Sequence, residues 1–420
     1  DICFVIERPD QAGLCVREAV MSADTSGKRP FSGLRILDFS RVLAGPFCTA
    51  MLADLGAEII KVEPPGGDDQ RAMGAFRNGR SVNFELINRN KRSLRLDLKQ
   101  PAGRQLALRL AARCDVVVEN FRPGVAGKLG IDFAAIAAVR PDVIYCSISG
   151  FGQNGPLAQH PSYDVVAQAA SGLMSLTGPK DGDPVLVGDS VGDTVSGTFA
   201  AFGIAAALYR RAITGIGGRI DIAMFDALFA LLPTALAQLQ ATGRAPQRCG
   251  AVHPLSAPFG AYRASDRTFM LAIANNPLFG RFASVIGQPG LALEDRFASD
   301  RQRRDNEGAL RTIIEDWAAT RKASDIIALL LEAGIPASDI WTIDEAAGSA
   351  HARHRHLTTA VEAAGLGRID LPEQPVHFAD LERGGVRPAP ALGADGPDIL
   401  TALLDLTQVE ISRLQADGAI

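Results

Sequence analysis

From residue 34 onward, short blocks of consecutive apolar residues alternate with stretches in which apolar residues recur at helical spacing. Leu34–Phe39, Ala57–Val62, Leu94–Leu98, Asp115–Glu119 and Asp142–Ile148 are short and rich in Val, Ile and Leu. Such runs read as strands buried on both faces. Between them Pro46–Leu55, Pro101–Arg113 and Phe133–Val139 read as helices, the first opened by a proline whose missing N–H costs nothing there. This βαβα rhythm predicts an α/β fold, an open and mainly parallel sheet with flanking helices. Ligands of such sheets sit beyond the carboxyl ends of the strands. The loops after Phe39, Glu119 and Ser149 are therefore where a site is expected.

Further along, the almost uncharged run Thr198–Tyr209 predicts a buried helix, and its apolar part falls short of the ~18 residues a membrane span needs. Helices are expected around Asp226–Leu239. Residues 243–268 are rich in Gly, Pro and Arg and read as a linker or active-site loop. Phe269–Ile343 mixes strand-like and helical runs, including Ile313–Trp317 and Ala323–Ala333, enough for a smaller α+β domain. The tail reads as an extended segment around Pro388–Gly393, then helices at Ile399–Leu406 and Val409–Gln415. The expected division is an N-terminal extension over 1–30, a large domain over 31–225 and linker helices with a loop over 226–268. A small domain over 269–345 follows, then a C-terminal segment over 346–420 that returns to the large domain.

Composition narrows the function class. The 420 residues carry 43 Lys and Arg against 47 Asp and Glu, a net charge of −4. That balance argues against a general nucleic-acid binder. Six scattered cysteines without a C-x-x-C pair read as reduced thiols and a cytoplasmic setting. Glu7, Arg8, Asp10, Arg17 and Glu18 interrupt any apolar core of a signal peptide. His351, His354 and His356 cluster without a zinc spacing, so no metal site is expected.

One acid stands out. Asp193, in Gly192-Asp193-Thr194-Val195-Ser196-Gly197, opens the uncharged helical run. The free N–H groups of a helix start favour the ionised carboxylate, as a nucleophile requires, although a plain N-cap has the same signature. Four other stretches could carry chemistry. Arg41-Val42-Leu43-Ala44-Gly45-Pro46 offers small residues and a helix start to an anion, without the glycine fingerprint of a dinucleotide site. The basic run Asn88–Lys99 is either a solvated face or a phosphate contact. Glu119-Asn120-Phe121-Arg122-Pro123-Gly124 places an amide, an aromatic and a cation after a strand, and Tyr163-Asp164 opens a helix.

Taken in order, these motifs resemble the class III CoA-transferases, the family of formyl-CoA transferase, carnitine CoA-transferase and 2-methylacyl-CoA racemase. Gly33–Pro46, Gly56–Glu63, Asn88–Ser93, Glu119–Gly124, Tyr163-Asp164 and Gly192-Asp193 follow its order from about residue 31 to the C-terminus. The resemblance implies an interlocked homodimer whose chains each have a large and a small domain, with Asp193 as the catalytic carboxylate. It places coenzyme A contacts at Leu43, Ala44, Leu96, Asp97, Leu98, Lys99, Asn120, Phe121, Arg122, Lys128, Tyr163 and Asp164. It implies a CoA thioester as substrate and no permanently bound cofactor.

Within the family, Leu43 and Pro64 stand where formyl-CoA transferase has glutamine and arginine, and His253-Pro254 lies where it has a glycine run; this argues against oxalate as acceptor. Tyr163 replaces the racemase branch's histidine, and a phenol of pKa ~10 is a poor base at neutral pH. The best match is to succinyl-CoA:glutarate and other dicarboxylate CoA-transferases, with Arg41, Arg71 and His253 as candidate cations for the distal carboxylate. A racemase of the same family and a non-catalytic acyl-CoA-binding protein are the alternatives.

Overall fold

The computed structural model describes residues 29–381 and 383–420, so residues 1–28 of the expected extension lie outside the described residues. Six strands form one sheet: β1 (Arg35–Asp38), β2 (Glu58–Glu63), β3 (Arg92–Arg95), β4 (Val116–Glu119), β5 (Ile144–Ser149) and β6 (Gly218–Ala223). Their spatial order is β3-β2-β1-β4-β5-β6, and every neighbouring pair is parallel. Strand order reverses between β1 and β4, which opens a crevice at their carboxyl ends. Sequence reading missed β6, an alternating edge strand whose Arg219 and Asp221 hide its apolar face.

Successive residues of a strand serve opposite faces. Leu37, Ile60 and Val117 join one core with Leu106, Leu110, Ile399 and Ile411. Their neighbours Ile36, Ile59, Val116 and Val118 join the other, with Cys48, Leu52, Ala200, Ile204 and Leu228. This two-sided burial is why these strands read as unbroken apolar blocks. The first face is covered by helices at Pro101–Ala111, Phe133–Val139, Gly396–Leu404 and Gln408–Ala416, the second by helices that carry the site. These are α1 (Ala44–Asp54), α2 (Asp164–Ala170), α3 (Val191–Thr214) and α4 (Met224–Ala230).

The helix α3 corrects an expectation. It runs for 24 residues, long and apolar enough by composition to cross a membrane, because Val191–Gly197 extend the apolar run backwards. Nor is it buried all round. Ser196, Gly197, Ala200 and Ile204 pack inward, whereas Phe202, Tyr209 and Ile213 are largely exposed. Gly197 permits the close approach to α1, since a Cβ there would stand 2.6 Å from the Ala44 carbonyl oxygen.

Residues 243–268 are not all loop, for β7 (Phe259–Arg263) lies within them. It forms an antiparallel sheet, order β9-β8-β7, with β8 (Thr268–Ala272) and β9 (Ala337–Asp339). This sheet has its own core around Tyr262, Phe269, Phe279, Phe282, Ile314 and Leu330. A hairpin of β10 (Thr358–Ala363) and β11 (Gly367–Pro372) was not anticipated. The last residues close on the large sheet's edge, where the Asp97 N–H donates to the Ala419 carbonyl at 2.9 Å.

Candidate active site

The loops after β1 and β4 meet in the crevice. Asn120 ties them together: its Oδ1 accepts from the Arg41 N–H at 2.8 Å and its Nδ2 donates to the Arg41 carbonyl at 2.7 Å. The Arg41 guanidinium lies 5.4 Å from the centre of the Phe121 ring and reaches Asp69 at 3.5 Å. Beneath the loop sits a buried carboxylate, Asp38, which accepts from Thr49 Oγ1 at 2.6 Å and from Lys91 Nζ at 3.2 Å. Burial alone would raise the Asp38 carboxyl. The nearby Lys91 and Lys61 ammoniums and the Ser40 and Thr49 hydroxyls nevertheless hold it below its ordinary value.

Asp193 lies in the first turn of α3. It is not the N-cap, which is Ser190 and makes no side-chain capping bond. That capping work is done by another chain segment. Asp164, at the start of α2, accepts the Gly192 N–H at 2.6 Å and Gln168 Nε2 at 2.7 Å. Gln168 in turn accepts the Val187 N–H at 3.0 Å. Asp193 is thereby spared for other work. Burial, reinforced by the Asp164 charge, pushes its carboxyl up to about 7, against the nearby backbone amide of Ala44 at the start of α1, which favours ionisation.

Two clefts share a wall of Arg41, Asp69, Phe121 and Val125. The inner one, about 1180 Å³ and open to solvent, is lined by Asp193, Val42, Asn120, Ser149, His160 and Tyr163, among others. The outer one, about 1310 Å³, is lined by Pro64, Leu96, Asp97, Leu98 and Lys99. Arg122 faces the inner cleft. Leu43, the N-cap residue of α1, and Ala44, which is fully buried with its amide near Asp193, line neither cleft, against their expected place as coenzyme A contacts. Lys128 is exposed on the short helix Val125–Leu129, beside the outer cleft but outside its lining.

Three expectations are corrected here. Arg71 is not free to meet a substrate: it grips Glu63 through two bonds of 2.7 Å and packs over Phe84. In this chain His253 lines neither cleft, and stacks instead on Phe259 with ring centres 4.7 Å apart. The basic run is largely internal. Arg89 pairs with Asp54, Lys91 with Asp38 and Arg92 with Glu58, leaving Arg95 and Lys99 exposed, of which Lys99 lines the outer cleft. Burial pushes Lys91 down to about 8 even beside Asp38. His160 and Ser149 were missed. His160 stands outside any motif, and Ser149, whose buried hydroxyl lacks a partner, closes a strand as serine commonly does. Among the described residues no cluster of His, Cys, Asp and Glu is arranged to hold a metal ion.

The model of CoA-transferase family III matches residues 31–396. The chain belongs to that family. Acetyl-CoA:oxalate CoA-transferase of Acetobacter aceti is 41% identical over 372 residues, spanning 88% of this chain and 94% of its own. Succinyl-CoA:glutarate CoA-transferase of Mus musculus is 35% identical over 400 residues, spanning 95% and 92%. A CaiB/BaiF family protein of Brucella suis, known by crystal structure, superposes with a TM-score of 0.79 at 35% identity, covering 90% of this chain and all of that one. The chain is thus a family III CoA-transferase, and a CoA thioester is a substrate of its reaction.

Proposed function

We propose that this enzyme moves CoA from an acyl-CoA donor, succinyl-CoA, to a second dicarboxylate, with Asp193 as the nucleophile. The observation that carries the reading is the position of Asp193. Its carboxylate lies in the inner cleft where the β1 and β4 loops converge, in a helix's first turn and beneath the Ala44 N–H. Attack of Asp193 on the thioester carbonyl breaks the C–S bond, giving an aspartyl–acyl anhydride and CoA thiolate. The thiolate attacks the aspartyl carbonyl of that anhydride, releasing the donor acid and leaving an aspartyl-CoA thioester. The acceptor carboxylate attacks this thioester, and the two steps run in reverse to give the new acyl-CoA and free Asp193. Each tetrahedral oxyanion needs an N–H donor already in place, and that of Ala44 is the candidate for the steps at the aspartyl carbonyl.

The outer cleft, with Leu96–Lys99, suits the nucleotide end of CoA. Phe121, Arg122 and Tyr163 line its path inward, Lys128 stands exposed beside the outer cleft, and Asp164 acts by holding the start of α3. Relatives named for glutarate, D-citramalate and mesaconate support a dicarboxylate acceptor, and Arg41, of the three cations expected at the substrate, is the one that lines the cleft to meet its distal carboxylate. The apolar side chains left exposed on α3 (Phe202, Tyr209 and Ile213) support a homodimer that covers them. The separate core around Tyr262, Phe269 and Ile314 supports a small domain that begins with β7, about ten residues before the expected start at 269. The free thiols Cys48, Cys114, Cys146 and Cys249 are in keeping with a reducing cytoplasm.

The test is Asp193→Asn and Asp193→Ala, assayed by mass spectrometry with succinyl-CoA and a panel of dicarboxylates. Transfer is expected to vanish while CoA binding persists. Hydroxylamine or borohydride should trap the acylated intermediate on Asp193 in the native enzyme; a label on any other residue overturns the assignment.

A further inference from the structure

The turn that delivers the Ala44 N–H is built on a strained residue. Val42 has φ +65°, a left-handed conformation that a β-branched side chain resists. Nothing in Val42 itself selects that conformation, so its surroundings must impose it. They do so with side chains. The Ser40 N–H is held by Asp38, the Arg41 N–H by Asn120, and the Val42 N–H by Asp68 Oδ1 at 3.0 Å. Asp68 is fully buried, and its other oxygen pairs with Lys61 Nζ at 2.7 Å. The same ammonium donates to the Ser40 carbonyl at 3.0 Å, so one ion pair grips the turn at both ends. Asp68 is itself fixed from behind. Its N–H donates to Glu63 Oε2 at 3.0 Å, and Glu63 is held by Arg71 and by Ser93 Oγ at 2.6 Å.

We propose that the Asp68–Lys61 pair is the positioning device of the site, holding Val42 in its left-handed turn and so aiming the Ala44 N–H at Asp193. Neither side chain reaches the cleft, so both act only through the backbone they hold. The inference rests on the reading of Asp193 as the nucleophile, and it explains why Arg71, a cation expected at the substrate, is committed to Glu63. If the pair is lost, Val42 relaxes to negative φ, the start of α1 swings, and the Ala44 donor leaves Asp193.

The test removes both charges together, Lys61→Met with Asp68→Ala, so that no buried ion is left unpaired. Thermal unfolding should show a folded protein. kcat should fall by about a hundredfold, the loss expected when a reacting group is misplaced by about 1 Å. The KM for acyl-CoA should move much less. The acid limb of the pH–rate profile should shift upward, since Asp193 loses a donor while Asp164, Arg41, Asp69, His160 and Tyr163 around it are unchanged. Adding Val42→Gly, which adopts positive φ freely, should restore kcat and the pH midpoint.

A purely structural role for the pair predicts no such rescue. A pair variant with native kcat and pH midpoint, or a glycine that restores neither, overturns the proposal. If the pair variant does not fold, Asp68→Asn keeps the volume while setting an amide N–H against Lys61. The same upward midpoint, reversed by Val42→Gly, is then expected, and an unmoved midpoint overturns the proposal. An inactive Asp193→Asn beside an unaffected pair variant would sink this inference alone. Retained transfer in Asp193→Asn would sink the reading of Asp193 itself.

Discussion

Asp193→Asn should stabilise the fold while abolishing transfer, and the gain should grow with pH. The amide keeps the shape and the acceptor oxygen facing the Ala44 N–H, but it carries no charge. In the native chain the carboxyl ionises at about 7, against 3.8 for an unperturbed aspartate. The native state therefore holds the proton over a range in which the unfolded chain has already released it. Below about pH 4 both states are protonated and the group contributes no difference. As pH rises towards 7 the native protein loses stability through this one residue, and above 7 the loss is complete. At 1.36 kcal/mol per pKa unit, the full displacement is worth at most about 4 kcal/mol, and about 2 kcal/mol at pH 5. Urea unfolding of both proteins at pH 5 and pH 8 and equal chain concentration, followed by the Trp317 and Trp341 fluorescence, measures the difference. Other titrating groups cancel between the two. An amide variant no more stable at pH 8 than at pH 5, relative to native, refutes the argument that burial and Asp164 raise this carboxyl.

The same ionisation sets the activity profile: transfer by the native enzyme should rise about tenfold between pH 6 and pH 8, tracking the ionised fraction of a group titrating near 7. A profile flat over that range points to an ordinary carboxylate. Asn120→Ala removes both bonds joining the β1 and β4 loops, so it should raise the KM for acyl-CoA and cost about 1–3 kcal/mol in thermal unfolding; an unchanged KM would show that the loops hold without it. Phe202→Asp places a charge on the exposed apolar face of α3 and should lower the mass seen by light scattering if the proposed homodimer covers that face, whereas an unchanged mass would count against that contact.

The cleft of the candidate site was legible because the apolar blocks of β1, β4 and β5 are buried on both faces, and their ends mark the loops that line it. The Asp193 motif was legible too, but its setting was not. The residue that caps its helix is Asp164, 28 positions earlier in sequence, and no local pattern joins the two. The basic run misled for the same reason. Lys91 meets Asp38 across 53 positions, Arg89 meets Asp54 across 35 and Arg92 meets Glu58 across 34. Such pairs exist only once the sheet has brought its strands side by side. Local sequence also hid the true length of α3, because Gly192–Gly197 reads as a bend until the helix packs on α1. The left-handed Val42 leaves no trace at all, since its residue type argues against the conformation it adopts.

The closeness of Asp164 to Asp193 bears on how far each half of the exchange can run. In the proposed anhydride and thioester the Asp193 side chain is an uncharged acyl group, so the repulsion from Asp164 disappears when the covalent bond forms and returns when it is cleaved. The free enzyme is thus the electrostatically loaded state and the acyl-enzyme the relaxed one. That offsets part of the unfavourable free energy of making an anhydride from a thioester, and it keeps the intermediate from reverting before an acceptor arrives. A site with a solitary, well-hydrated carboxylate would lack that bias.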